Sequence, residues 1–213
     1  MSDPEYSTAE LTWLRAEGKD ALAAIFMKHQ DQLRVTIRCR IDVRLLGRVD
    51  IEDILQETYL AAAQRLDHFV ADPSVSCLVW LRQVALQVLV DVHRHHLRAK
   101  KRNVSAEVRG QLYPNATSGS IATRLVANGS TPSNIMTKAE TLTQLQAAFE
   151  ALEVTDREVL ALRHFEGLGN NEVAEILGLK KSAATNRYMR ALGRLRQIVS
   201  DLESERDTFG TPS

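Results

Sequence analysis

The residues with the most to say about chemistry lie between Glu172 and Arg196, in EVAEILGLKKSAATNRYMRALGRLR. Val173, Ala174, Ile176 and Leu177 fall on one stripe of a short helix. Gly178 can close that helix in the left-handed conformation, with Leu179 folding back as its apolar contact. Ser182 is the expected N-cap of a second helix, whose inward stripe is Ala184, Tyr188, Ala191, Leu192 and Leu195. Its outer face carries Arg187, Arg190, Arg194 and Arg196 behind Lys180 and Lys181, with no acidic residue before Asp201. Two readings fit: a helical hairpin with a solubilising basic face, or a helix-turn-helix whose second helix enters a DNA major groove. Thr185 and Asn186, at the end where side chains reach base edges, favour the second, because a merely solvated helix more often mixes its charges.

A second constellation is acidic. In DIEDILQETYLAAA, Ile51, Ile54, Leu55 and Thr58 share one stripe, while Asp50, Asp53 and Glu57 occupy an adjacent face beside Gln56. The spacing fits a solvated helix face and equally a negative ridge that docks a basic partner. A third, WLRQVALQVLVDVHRHHLRAKKRN, starts apolar and ends in Arg94, Arg98, Lys100, Lys101 and Arg102, cations suited to a phosphate backbone. Trp80 at its start is either core or a platform near unstacked bases. His93, His95 and His96 diverge around the helix axis and have no acidic or thiol companion, so they do not form a metal site. No Ser-His-Asp, Cys-His, metal-ligand or phosphate-loop arrangement occurs, so the expected chemistry is binding, with no catalysis and no cofactor.

Helices must position these groups. Helical spacing recurs from about Ser7 to Arg102 through Leu22, Ile25, Phe26, Leu33 and Ile37, then Ile51, Ile54, Leu55 and Leu60, then Val84, Leu86, Val88 and Leu89. Breaks near Gly18, Gly47 and Pro73 divide this block into about four helices. Residues 103–138 mix Pro, Gly, Ser, Thr and Asn and read as a flexible linker. A second helical block runs from about Ala139 to Leu202, followed by a tail over 203–213. In it Thr155 to Glu158 has the form of a capping box opening a helix. The fold class is therefore all-α, with two small helical domains over 7–102 and 139–202.

With 44% hydrophobic and 25% charged residues the 213-residue chain is ordinary for a folded protein. Its 27 basic and 27 acidic residues cancel, so any nucleic-acid surface must come from local segregation. That segregation is visible between the acidic stretch 140–175 and the basic stretch 180–196. Cys39 and Cys77 are far apart and read as reduced core thiols. The acidic N-terminus lacks a signal-peptide pattern and no apolar run reaches membrane-spanning length, which implies a cytoplasmic protein without membrane insertion.

In their order and wording these segments resemble the sigma-70 family of bacterial RNA polymerase initiation factors, specifically the compact extracytoplasmic-function group that keeps only regions two and four. LRAEGKDALAAIF resembles the opening helix, DIEDILQETYLAA the polymerase-binding helix, and WLRQVALQVLVDVHRH the promoter-melting and −10-reading helices. ALEVTDREVLALRHFEGLGNNEVAEILGL with KKSAATNRYMRALGRLR resembles region four. The resemblance implies that Asp50, Asp53, Gln56 and Glu57 face the core polymerase, and that a loop from Asp67 to Ser76 cradles a flipped base of the −10 strand. It places Trp80, Arg94, Arg98 and Lys101 along melted or upstream DNA, and Lys181, Ser182, Thr185, Asn186, Arg187 and Arg190 at the −35 element. It further implies action at the nucleoid during initiation and an anti-sigma partner, common in the group. Gln87 stands where the family usually has Asn, Ser182-Ala183-Ala184 where it often has Gly-Thr-Val, and Gly169 where a Ser commonly caps. The first two departures bear on promoter preference, the third on helix stability. The alternative is a stand-alone helix-turn-helix regulator, which needs neither the acidic ridge nor the basic arm of the first block.

Overall fold

The computed structural model describes residues 4–98, 118–119, 121–122 and 135–209, and every regular element among them is helical. The first unit consists of α1 (Pro4–Glu17), α2 (Lys19–Arg40), α3 (Ile51–Ala71) and α4 (Cys77–Arg98), with a short 3₁₀ turn at Val43–Leu45. The breaks fall at Gly18, around Gly47 and at Pro73, as the sequence predicts. Gly18 has φ 58°, a conformation that glycine adopts without penalty, and lets α2 start directly after α1. Asp50 caps α3 by accepting the Glu52 N–H at 3.0 Å. Pro73 disfavours helical geometry at the residue before it, and Asp72 there has φ −138°.

The core of this unit is built from Leu22, Ile25, Leu33 and Ile37 of α2, Ile54, Leu55 and Phe69 of α3, and Trp80, Val84 and Leu89 of α4. Phe69 and Trp80 stack at 4.2 Å with rings 5° from parallel. That stacking continues α3 to Ala71, so Asp67 to Ala71 are helical and the expected loop is confined to 72–76. Leu60, expected in the core, is instead 54% exposed, because its register places it beyond the edge of the buried stripe.

The second unit contains α5 (Ile135–Ala151), α6 (Val154–Leu160) continued by a π turn at Ala161–Phe165, α7 (Asn170–Leu177) and α8 (Lys181–Phe209). α5 thus begins before Ala139 and α8 extends past Leu202, into the segment read as a tail. The expected capping box at Thr155 does not form: Glu153 is the N-cap, and the Glu158 carboxylate is spent on arginines of the first unit. At α7 the Gly169 N–H donates to Glu172, so that glycine serves as the cap and Asn170 instead donates to the Lys181 carbonyl at 3.0 Å. Gly178 has φ 62° and the Leu179 N–H reaches the Ala174 carbonyl at 2.8 Å, closing α7 as the sequence predicts. α8 starts at Lys181, so Ser182 lies within its first turn and is not the cap.

The two units form one packed body. Cys39 and Leu78 of the first lie in the core of the second with Phe149, Leu152 and Val159. Most of 103–138 lies outside the described residues, but Ile121 and Ala122 are buried and the Arg157 guanidinium donates to Ser118 Oγ at 2.7 Å. This part of the segment read as a flexible linker is therefore held against the second unit. Cys39 and Cys77 are buried and neither is in a disulfide. No helix among the described residues is long and apolar enough to cross a membrane.

Truncating a buried aromatic removes its transfer energy and leaves a cavity, whereas truncating an exposed leucine does neither. Phe69→Ala should destabilise the chain by about 3–5 kcal/mol, and Leu60→Ala by no more than about 0.5 kcal/mol, in urea unfolding at neutral pH.

Candidate functional site

Three surfaces are positioned by these elements. The first is the outward face of α3. Burial of Ile54, Leu55 and Thr58, with the Thr58 hydroxyl donating to the Ile54 carbonyl at 2.7 Å, turns Asp53, Gln56 and Glu57 into solvent. Leu60 continues the same face at i, i+3, i+4, i+7 from Asp53, an apolar group at the end of a negative ridge. Sequence reasoning missed it by assigning it to the core, although the spacing was available. Asp50 is exposed but is also the helix cap. Glu52, just beside the ridge, is neutralised by Arg34 at 2.8 and 3.1 Å, and Arg34 bonding holds its carboxyl below the usual range. A hollow of about 400 Å³ lined by Arg38, Leu46, Arg48 and Asp50 adjoins the start of the ridge.

The second surface is the start of α8. Lys181, Ser182, Thr185, Asn186 and Arg190 are exposed and Arg187 is half-buried. The Thr185 hydroxyl donates to the Lys181 carbonyl at 3.2 Å. Met189, 61% exposed between Thr185 and Arg190, adds an apolar group that sequence reasoning did not single out. The inward stripe is as expected: Ala184 and Ala191 are fully buried, and their small size lets α8 approach α6 and α7 closely. Arg194 is not a free surface cation, because it pairs with Asp156 and lies 3.8 Å from Glu153. The Tyr188 hydroxyl and His164 Nε2 are hydrogen-bonded at 2.9 Å, and the Arg163 guanidinium lies 5.3 Å from the Tyr188 ring centre.

The third surface is α4. Arg94 is exposed, with Asp91 3.6 Å away. Arg98 ends the helix, its side chain is not described, and Lys101 lies outside the described residues. Trp80 is 8% exposed and stacked on Phe69, the core position that was one of its two sequence readings. His93 Nε2 accepts the Asp42 N–H at 3.2 Å, and burial holds this histidine below its usual pKa. Among the described residues no group of histidine, cysteine and carboxylate side chains is disposed to hold a metal.

A fourth constellation was not anticipated at all. Arg40 at the end of α2 and Arg82 in α4 meet Glu158 of α6 and Glu166 after the π turn, and all four are buried. Arg40 donates to both carboxylates. Arg82 Nε donates to Glu166 Oε2 at 2.8 Å, and its Nη2 lies 3.4 Å from Glu158 Oε1. The Thr36 hydroxyl adds a bond to Glu166 at 2.7 Å. Arg40 Nε is buried without a hydrogen-bond partner among the described residues. Burial alone would raise the Glu166 carboxyl, but the charges of Arg40 and Arg82 and the bonds from Arg82 and Thr36 bring it down to about 2.

The two helical units that carry these surfaces can be compared with known proteins. The sigma-70 region 2 family model matches residues 26–103 and the sigma-70, region 4 model matches residues 142–195. The chain belongs to the extracytoplasmic-function group of the sigma-70 family, the initiation factors of bacterial RNA polymerase. It is 28% identical over 161 residues to the RNA polymerase sigma factor CnrH of Cupriavidus metallidurans, covering 76% of this chain and 78% of CnrH. It is 27% identical over 154 residues to the ECF RNA polymerase sigma-E factor of Escherichia coli, covering 72% and 75% of the two chains. The structure of CnrH in complex with the cytosolic domain of CnrY superposes with a TM-score of 0.51 at 20% identity, over 91% of this sigma factor and 96% of CnrH, which establishes the shared fold.

The depressed Glu166 pKa fixes the sign of an acid response. A carboxyl at about 2 in the folded sigma factor and near its ordinary 4.5 when unfolded contributes fully above pH 4.5 and loses that contribution as pH falls toward 2. Glu166→Gln should therefore be less stable than wild type at pH 7 by about 3 kcal/mol, and the gap in urea midpoints should close progressively in acid.

Proposed function

We propose that the chain docks on core RNA polymerase through α3 and directs it to promoters with two separate DNA readers. The observation that carries this is the exposed ridge of Asp53, Gln56, Glu57 and Leu60, which a stand-alone regulator does not require. Carboxylates steer and orient a basic partner, and Leu60 supplies the apolar contact that adds affinity once water is excluded. Asp50 contributes to the same field while capping the helix.

The start of α8 suits a −35 element. Exposed Lys181 and Arg190 are placed for phosphates, while Ser182, Thr185 and Asn186 offer short donors and acceptors to base edges. Arg187, half-buried, is oriented by its packing and so is suited to a fixed contact. Region two would take the −10 element with Arg94, Arg98 and Lys101 along the backbone and with residues 72–76 holding an unpaired base. Trp80 serves that loop from behind, through its stack on Phe69. Capturing unpaired bases offsets an unstacking cost of a few kcal/mol per step, so melting needs no covalent chemistry. CnrH has been seen with the cytosolic domain of CnrY, and by likeness we infer that this chain also takes a protein partner, the anti-sigma factor that the family resemblance implies.

Asp53→Arg should weaken binding to core polymerase at least tenfold in a fluorescence titration, with Leu60→Ala weakening it less; unchanged affinity in both would remove α3 as the docking face. Asn186→Ala should reduce run-off from a matched −35 sequence more than from a scrambled one. Equal losses on the two templates would contradict base reading by α8.

A further inference from the structure

Along α8 the residues Ser182, Thr185, Asn186, Met189 and Gly193 recur at helical spacing, and all five are exposed. The arginines that flank this stripe have other commitments: Arg187 is half-buried, Arg190 Nε donates to the Asn186 carbonyl at 3.4 Å, and Arg194 pairs with Asp156. The Thr185 hydroxyl proton is likewise spent, on the Lys181 carbonyl. That leaves Met189, 61% exposed, in the middle of the stripe. A single exposed apolar side chain is ordinary on a protein surface. This one is followed one turn later, on the same face, by Gly193. A Cβ there would meet nothing within 4 Å, so no contact among the described residues calls for glycine, although glycine weakens a helix interior. A bare backbone beside Met189 lowers the profile of the helix and lets a partner approach it closely. Both residues therefore point to something outside the chain lying against this stripe.

The chemistry of the major groove says what Met189 would meet there. Adenine, guanine and cytosine offer only hydrogen-bonding atoms on that edge, whereas thymine also offers a C5-methyl group. A methionine side chain is unbranched, polarizable and free to turn about three bonds, so it can settle on a methyl group without exact placement. We propose that Met189 is a specificity-determining residue, which selects thymine in the −35 element by packing its thioether on the C5-methyl group while Gly193 leaves room for the DNA backbone beside it. This deepens the −35 reading proposed above and rests on it. The selection comes from excluding water between two apolar groups, so it differs in kind from the hydrogen bonds offered by Ser182 and Asn186 and from the charge of Lys181, which holds any sequence. Its signature is discrimination against uracil, which differs from thymine by the methyl group alone.

The experiment is a binding selection by the full chain reconstituted with bacterial core polymerase. It draws on two libraries of DNA duplexes with a randomised upstream block, one synthesised with thymine and the other with uracil in its place, and the bound duplexes are sequenced. At one position of the block or more, wild type should favour thymine in the first library about fourfold more strongly than uracil in the second, the effect of burying one methyl-sized group. Met189→Gln keeps the length of the side chain but ends it in an amide, and should favour thymine and uracil equally at that position. Because Met189 is exposed, the variant should keep the urea midpoint of wild type. Equal preference for thymine and uracil at every position in wild type overturns the proposal. So does a methyl preference that survives Met189→Gln unchanged, which would assign it to another side chain. Enrichment of no upstream block from either library contradicts the −35 reading itself, and the role of Met189 falls with it.

Discussion

The carboxylate of Glu166 is the hinge of the whole arrangement. It is fully buried, accepts from Arg40, Arg82 and Thr36, and sits directly after a π turn in the helix that follows α6. Taking a carboxylate out of water costs several kcal/mol unless its lone pairs are satisfied. Here they are, by donors from two helices of the other unit. The position of the second unit follows from that requirement: to satisfy Glu166, α6 must lie against the ends of α2 and α4, and Cys39 and Leu78 are then buried in the second core.

This interface makes intelligible the division of labour along the chain. Each helix has one face committed to packing and another left for a partner. α3 commits Ile54, Leu55 and Phe69 to the core and leaves Asp53, Gln56, Glu57 and Leu60 outside. α8 commits Ala184 and Ala191 and leaves Ser182, Thr185 and Asn186 outside. Among its described side chains α4 is committed along most of its length by Trp80, Val84 and Leu89, and is exposed toward Arg94. Such faces are what a binding protein acts with, and their chemistry differs as the proposed partners do.

What was legible in the sequence was local. The breaks at Gly18, Gly47 and Pro73, the Gly178 turn and the small-residue stripe of α8 depend on residues within a turn or two of one another, so periodicity and turn chemistry sufficed. The errors came where a local motif was outvoted from a distance. Thr155 and Glu158 have capping-box spacing, but Glu158 gains more from two buried guanidiniums than from a backbone N–H. Leu60 lies at the margin of an apolar stripe, where spacing alone does not decide between core and surface. The Arg40–Glu166 contact joins positions 126 apart and left no periodic trace. The sole hint was Arg82 in an otherwise apolar stretch. Family resemblance identified the class of protein and supplied the residue roles proposed at the two DNA readers.

The central claim is that this chain endows core polymerase with promoter choice. The most direct test mixes the purified chain with bacterial core enzyme and a pooled promoter library, and sequences the transcripts that initiate. The account predicts initiation that depends on the chain and enriches templates sharing two sequence blocks about two helical turns apart. Sequence-selective DNA binding by the chain alone, with no association with core enzyme and no chain-dependent transcript, would contradict it.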